Sequence, residues 1–231
     1  MTSTLFQDFK ERTKEVNKYF IFLKSLEQGT TKLITEEKNG VTTIQKIDPE
    51  LEKTLKASGF LLLYNLVEAT MRDAIEAIFE ELRSKGVSFD NIRPELQKIV
   101  LKNLARRNPD KVLMEITAIS LDIITAGFDK GEIFSGNIDG REIRKTAEMY
   151  GFSSSTDYAK TGDGQDLLTV KTNRNDLAHG VKSFAEVGRT QTIGDLLRIE
   201  NKVVEYLRQI LQNIETYLAN KDYLDSSRST P

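Results

Sequence analysis

The sequence predicts an all-α bundle of amphipathic helices carrying one small β-hairpin insertion near residues 30–47. Apolar residues recur at spacings of three, four or seven through most of the chain, which is the helical signature. One stretch alone departs from it, where β-branched residues flank Asn39-Gly40, a favoured hairpin turn. The balance of 39% hydrophobic and 29% charged residues in 231 is that of a chain able to bury a substantial core.

The elements follow in order. Leu5, Phe9, Val16, Phe20 and Leu23 line one face of a first helix from Thr2 to Leu26, ending near Gly29. Thr31 to Thr35 and Val41 to Ile47 form the two arms of the hairpin. A long helix starts after Asp48-Pro49, because aspartate caps and proline is tolerated in the first turn, and runs to about Ser84. Its middle, from Phe60 to Arg72, is apolar on most faces, so this is the expected central helix of the core. Asn65, Glu68 and Arg72 form a polar stripe along it, whose plainest reading is a Glu68–Arg72 pair at i, i+4.

Further helices are expected for Arg93 to Arg107 and Asp110 to Thr125, then, after a glycine-rich connection from Gly127 to Gly140, for Arg141 to Tyr150. Gly151 to Gly164, rich in serine and glycine, reads as a mobile loop. A helix from Asp166 to Ala178 comes next. The last helix is the clearest: Thr192 and Asp195 resemble a capping box, and Ile193, Leu197, Val204, Leu207, Leu211, Ile214 and Leu218 repeat in heptads. Leu196, Val203, Ile210 and Tyr217 widen the apolar face beyond a two-stranded coiled coil, toward a bundle core. One domain over 1–224 is expected, with a variable segment about 127–165 and a disordered tail over 225–231.

Composition excludes several classes of function. Without cysteine there is no disulfide, no thiolate zinc site and no cysteine nucleophile. The longest apolar stretch, Phe60 to Val67, is far shorter than the ~20 residues that span a bilayer, and Met1 to Arg12 shows no signal-peptide pattern, so a cytoplasmic protein with no membrane partner is expected. With 33 basic residues against 35 acidic ones, any nucleic-acid contact must be local. Basic clusters occur at Lys98, Lys102, Arg106 and Arg107, at Arg141, Arg144 and Lys145, and at Lys171, Arg174, Lys182 and Arg189; the first two read most simply as solvated helix faces.

The sole histidine, His179, sits in Arg174-Asn175-Asp176-Leu177-Ala178-His179-Gly180. On a helix, Asn175 and His179 are i, i+4 neighbours with Leu168 on their face, while Leu167, Val170, Arg174, Ala178 and Val181 share another. Gly180 stops the helix just past His179, leaving the imidazole at the helix C-terminus. A lone histidine at a helix end is ordinarily a cap or a surface residue. Here it lies within six residues of a guanidinium suited to phosphate and an amide that can position it.

The run Arg-Asn-x-x-x-His resembles the Arg-x(4–6)-His signature of the HEPN superfamily. The Gly180 that follows, the polar residue after the arginine, the long terminal helix and the apolar Leu61 to Glu68 segment are similar to stand-alone bacterial HEPN nucleases, over about residues 50–220. The resemblance implies a HEPN-like helical bundle that dimerises so that two motifs face one cleft and cut RNA without metal, as a toxin or antiphage defence effector. By position, Arg174 and His179 would be the principal catalytic residues with Asn175 assisting, and Glu68 would support the cleft. Asn65, Arg72, Lys171 and Lys182 are the further candidates for substrate binding or support.

The chemistry agrees from first principles. Transesterification of RNA needs a base for the 2′-OH, an acid for the leaving 5′ oxygen, and a cation for the phosphorane. One chain has one imidazole, which favours a homodimer as the source of the pair, with a substrate group or water as the other candidate for the second role. No metal site and no cofactor are expected, since thiolates are absent and a second imidazole is lacking, which leaves carboxylates holding magnesium as the one metal alternative; no Walker-type glycine-rich run is present. RNA is the expected substrate, with an antitoxin or sensor protein as regulatory partner. A second reading is a non-catalytic HEPN-like RNA- or nucleotide-binding or adaptor subunit of such a complex, and a third is a helical scaffold with no site, in which Arg174 makes a subunit salt bridge and His179 caps a helix.

Overall fold

The computed structural model describes residues 4–36, 40–106, 123–128, 133–134 and 136–227. These are helical apart from turns, loops and one antiparallel ribbon, the all-α architecture with a small hairpin that the sequence predicts. The chain divides into two compact units, one of Met1–Val67 with Asp157–Tyr206 and one of Glu68–Thr156 with Leu207–Pro231.

In the first unit, α1 (Thr4–Glu27) buries Leu5, Phe9, Val16, Phe20 and Leu23, the stripe expected of it. The ribbon pairs β1 (Leu33–Glu36) with β2 (Thr42–Gln45), in register Leu33 to Gln45 and Ile34 to Ile44. Of the expected turn, Asn39 lies outside the described residues, and Gly40 has φ +80°. The long helix α2 (Pro49–Ser84) begins and ends where its sequence signals place it. Tyr19 of α1 donates to the Leu55 carbonyl on it at 2.5 Å.

In the second unit, the later part of α2 buries Met71, Ile75, Ile78, Phe79 and Leu82. Helix α3 is described over Pro94–Arg106, and the expected last residue, Arg107, lies outside the described residues. Of the helix expected over 110–125, residues 110–122 lie outside them too; Ile123–Ala126 forms a short helix, α4. Helix α5 (Gly140–Tyr150) is capped by Asp139, whose carboxylate accepts from the Arg141 and Glu142 amides.

One loop expectation is corrected. The segment 151–164 holds a short helix, α6 (Tyr158–Thr161), and a 3-10 turn over Gly162–Gly164. Asp157 caps α6 through the Ala159 amide, and Asn213 donates to the carbonyls of Ser153 and Ser155, so side-chain bonds order a stretch whose composition reads as loop. Of the tail expected over 225–231, residues 225–227 are described: the Asp225 amide donates to the Asn91 carbonyl, and Leu224 just before it bridges to Ile92.

The motif helix is α7 (Gln165–Ala178), followed by α8 (Phe184–Arg189) and the long α9 (Ile193–Asn220). The Thr192 hydroxyl accepts from the Asp195 amide at 3.0 Å, and the Asp195 carboxylate accepts from the Thr192 amide at 3.3 Å, so the predicted capping box forms with aspartate in the glutamate position. α8 lies hard against the start of α2: a Cβ on Gly188 would stand 2.0 Å from the Lys53 carbonyl oxygen, so only glycine permits the approach.

Candidate active site

Two contacts hold α7 within the first unit. Asp166 in its first turn is buried and meets Arg198 of α9, whose Nη1 donates to both carboxylate oxygens at 3.2 Å, with the Lys202 ammonium at 3.8 Å. The carboxylate also faces the positive end of the helix dipole. Farther along, Leu167, Val170 and Leu177 are buried. The inward face thus advances 167, 170, 174, 177, and the sequence projection is corrected at its end: Leu177 is inside, whereas Ala178 and Val181 are exposed. Steps of three rather than four rotate the stripe away from Ala178.

Arg174 falls on that inward face, and its aliphatic stem and planar head are half-buried. Its guanidinium carbon lies 4.4 Å from the centroid of the Tyr64 ring on α2, within cation–π range. Tyr64 is only 4 % exposed, so the platform cannot swing away. One guanidinium nitrogen, Nη1, donates to the Asn175 side-chain oxygen at 2.8 Å. Asn175, expected to neighbour His179, therefore serves both residues: its side chain holds the arginine, while its backbone carbonyl accepts the His179 amide at 3.0 Å.

His179 is the C-cap residue, directly after the last residue of α7, and is exposed. Gly180 takes φ +67°, the Val181 amide donates to the Asp176 carbonyl at 2.8 Å, and the Gly180 amide donates to the Leu177 carbonyl at 3.3 Å. This is a Schellman termination, with glycine at the left-handed position that a side chain would strain. It fixes the direction in which the His179 Cα–Cβ bond leaves the helix, while the imidazole makes no hydrogen bond among the described residues.

The remaining candidates occupy varied settings. Lys182 pairs with Asp176 at 2.7 Å, which ties the chain after Gly180 back to α7. Lys171 is half-buried one turn before Asn175, and Asn65 is exposed on α2 next to Tyr64. Glu68 and Arg72 belong to the second unit, where Arg72 Nη2 meets Glu68 Oε1 at 2.7 Å and donates to the Phe134 carbonyl at 2.6 Å. That is the i, i+4 pair expected on elementary grounds. Among the described residues no three His, Asp or Glu side chains gather as a metal site would require, and no helix is long and apolar enough to cross a membrane.

Sequence reasoning missed three features. Tyr64 reads as one more apolar residue of α2, and no local pattern pairs it with Arg174. Ser183-Phe184-Ala185-Glu186 is a serine-to-glutamate capping box, formed in the structure, and that signature could have revealed α8. Glu200 falls in the heptad series of α9, between Leu197 and Val204, where an apolar residue belongs. It is 5 % exposed, makes no hydrogen bond or ion pair among the described residues, and burial pushes its carboxyl up to about 7.

A family model described as HEPN_MAE_28990-like HEPN matches residues 1–223. No curated protein and no solved structure matches the chain.

Proposed function

The chain belongs to the HEPN_MAE_28990-like HEPN family, and from that premise we propose that it is a metal-independent endoribonuclease working through Arg174, Asn175 and His179 at a homodimer interface. The observation that carries this reading is the arrangement at the end of α7. A guanidinium is held by an aromatic face and an amide, and an exposed imidazole lies one helical turn on.

The roles follow from the chemistry of the groups. Arg174, charged at every physiological pH, pairs with the scissile phosphate and stabilises the charge of the phosphorane. Asn175 and Tyr64 hold it in one orientation. The His179 imidazole of one chain takes the proton of the 2′-OH as that oxygen attacks phosphorus, and its counterpart protonates the departing 5′ oxygen. The P–O5′ bond breaks, leaving a 2′,3′-cyclic phosphate and a 5′-OH. A dimer is favoured by the single histidine and by two apolar side chains flanking the motif, Leu168 at 53 % and Val181 at 69 % exposure, which a partner chain would cover. In this reading the protein is a toxin or antiphage defence effector, restrained or triggered by an antitoxin or sensor protein.

A second reading, a non-catalytic RNA- or nucleotide-binding or adaptor subunit, is favoured by one feature: Arg174 is already engaged by Asn175, and nothing orients the imidazole among the described residues. End-group analysis separates the two. Purified protein incubated with cellular RNA in EDTA is expected to yield cyclic phosphate and 5′-OH termini, whereas cleavage that needs a divalent cation, or that leaves 5′-phosphates, overturns the mechanism.

A further inference from the structure

A cavity of about 130 Å³ opens in the second unit between α3 and α5. Part of its wall is aromatic. Phe128 packs on Phe79 with ring centroids 4.4 Å apart, Tyr150 meets Phe79 edge-on at 6.2 Å, and both Phe128 and Tyr150 line the cavity. Two polar side chains of the lining are almost wholly withdrawn from solvent: Thr146 is 3 % exposed and Tyr150 6 %. Neither hydroxyl makes a hydrogen bond among the described residues. Burial pushes the Tyr150 phenol up, so it is a donor at neutral pH.

Charge is arranged at the cavity on the α3 side. Lys102 and Arg106, one turn apart, are exposed, line it, and take part in no ion pair among the described residues. Asn103 adds an amide beside them. Glu142 of α5 also lines the cavity, with the Lys145 ammonium 3.8 Å away.

The size and chemistry narrow the ligand. An apolar protein cavity of about 150 Å³ takes one benzene ring, so this space holds a single six-membered ring and is small for a fused pair. A hydrocarbon would leave the Thr146 and Tyr150 hydroxyls unsatisfied, which is costly in a buried site. A bare phosphate would have no use for the aromatic wall. What satisfies every group is a planar ring with a hydrogen-bonding edge and an anion on one side.

We propose that this cavity binds a pyrimidine nucleotide, its base against Phe128 and Tyr150 and its phosphate on Lys102 and Arg106. The base edge meets Thr146, Tyr150 and Asn103, and Glu142, which only accepts, favours an edge carrying an amino group, as in cytosine. The same chemistry occurs in a free nucleotide and in an unpaired residue of an RNA strand, where splayed bases stack on aromatic side chains. The site goes beyond the ribonuclease reading and uses none of its residues.

Isothermal titration of full-length His179→Ala protein with CMP and with a cytidylate hexamer tests it; this variant leaves RNA uncut in the ribonuclease reading and the cavity untouched in any reading. Saturable binding is expected, weakened about tenfold or more by Lys102→Gln/Arg106→Gln and unchanged by Lys98→Gln/Arg141→Gln, which removes equal charge from exposed positions outside the cavity. Tyr150→Phe, which deletes only the hydroxyl, also weakens it. Binding of CMP alone as tightly as the hexamer identifies a free nucleotide, and binding of the hexamer alone identifies an RNA residue; both support the site. No saturable binding of either ligand, equal weakening by both double variants, or AMP bound as tightly as CMP overturns it.

Discussion

The Arg174 guanidinium carbon stands 4.4 Å from the centre of the Tyr64 ring, joining the motif helix to the long helix α2. A cation over an aromatic face is worth about 0.5–1 kcal/mol when exposed and about 2 when desolvated. Arg174 is half-buried, and its bond to Asn175 at 2.8 Å adds a second restraint. The pair therefore fixes the position of the group assigned to phosphate.

Replacing the ring tests that restraint. Tyr64→Phe keeps the aromatic face and is expected to cleave RNA within a few-fold of wild type. Tyr64→Leu is expected to lose about five- to thirtyfold in kcat, the rate equivalent of about 1–2 kcal/mol. Steady-state kinetics on a defined RNA check this, with circular dichroism confirming the fold. Equal activity of the two variants contradicts the positioning role.

Gly180 sets the helix end at His179. Its φ of +67° costs an L-residue roughly 1–2 kcal/mol, and no atom lies near enough for a new Cβ to clash. Gly180→Ala is accordingly expected to destabilise the protein by about 1 kcal/mol in urea denaturation. It should lower cleavage more than its effect on stability explains, because the His179 direction shifts. Unchanged stability and activity would show that this helix end tolerates other geometries.

Leu168 and Val181 flank the motif and are more than half exposed. A lysine at either position puts a charge where the proposed partner chain packs. Leu168→Lys is expected to convert a dimer to a monomer in sedimentation velocity and to abolish cleavage with no loss of helicity. A wild-type protein that is itself a fully active monomer contradicts the shared site.

The fold was legible where chemistry is local. Asp48-Pro49 and the apolar run after it mark α2, Thr192 and Asp195 mark α9, and Gly180 marks the end of α7. What escaped depends on partners distant in sequence or on short elements. The Asp166–Arg198 bond spans 32 residues, and the Tyr64–Arg174 contact spans most of the chain between α2 and α7. α6 and α8 are too short for periodicity, and serine and glycine around them read as loop. At the site, the motif residues were visible from their types and spacing, whereas the engagement of Asn175 with Arg174 was not, because i, i+1 side chains diverge on an ideal helix and meet here only through the length of the arginine.

Glu200 makes stability depend on pH. Its carboxyl titrates near 4.5 ordinarily and at about 7 in the fold, raised by burial. Between those values the unfolded chain binds fewer protons than the native one, so this group's stabilising share is complete below pH 4.5 and is lost as pH rises through 7. Glu200→Gln removes the ionisation and is expected to stabilise the protein by about 2–3 kcal/mol at pH 8 and by little at pH 5. Thermal melts of both proteins across that range measure the difference, and parallel curves contradict it.

The catalytic claim rests on two side chains and is tested most directly by cutting RNA. Wild-type, His179→Ala and Arg174→Ala proteins are incubated side by side with total cellular RNA in EDTA. The account predicts that wild type cleaves, that each variant loses a factor of about 10² or more, and that all three share the same helical content. Cleavage by His179→Ala at the wild-type rate contradicts it.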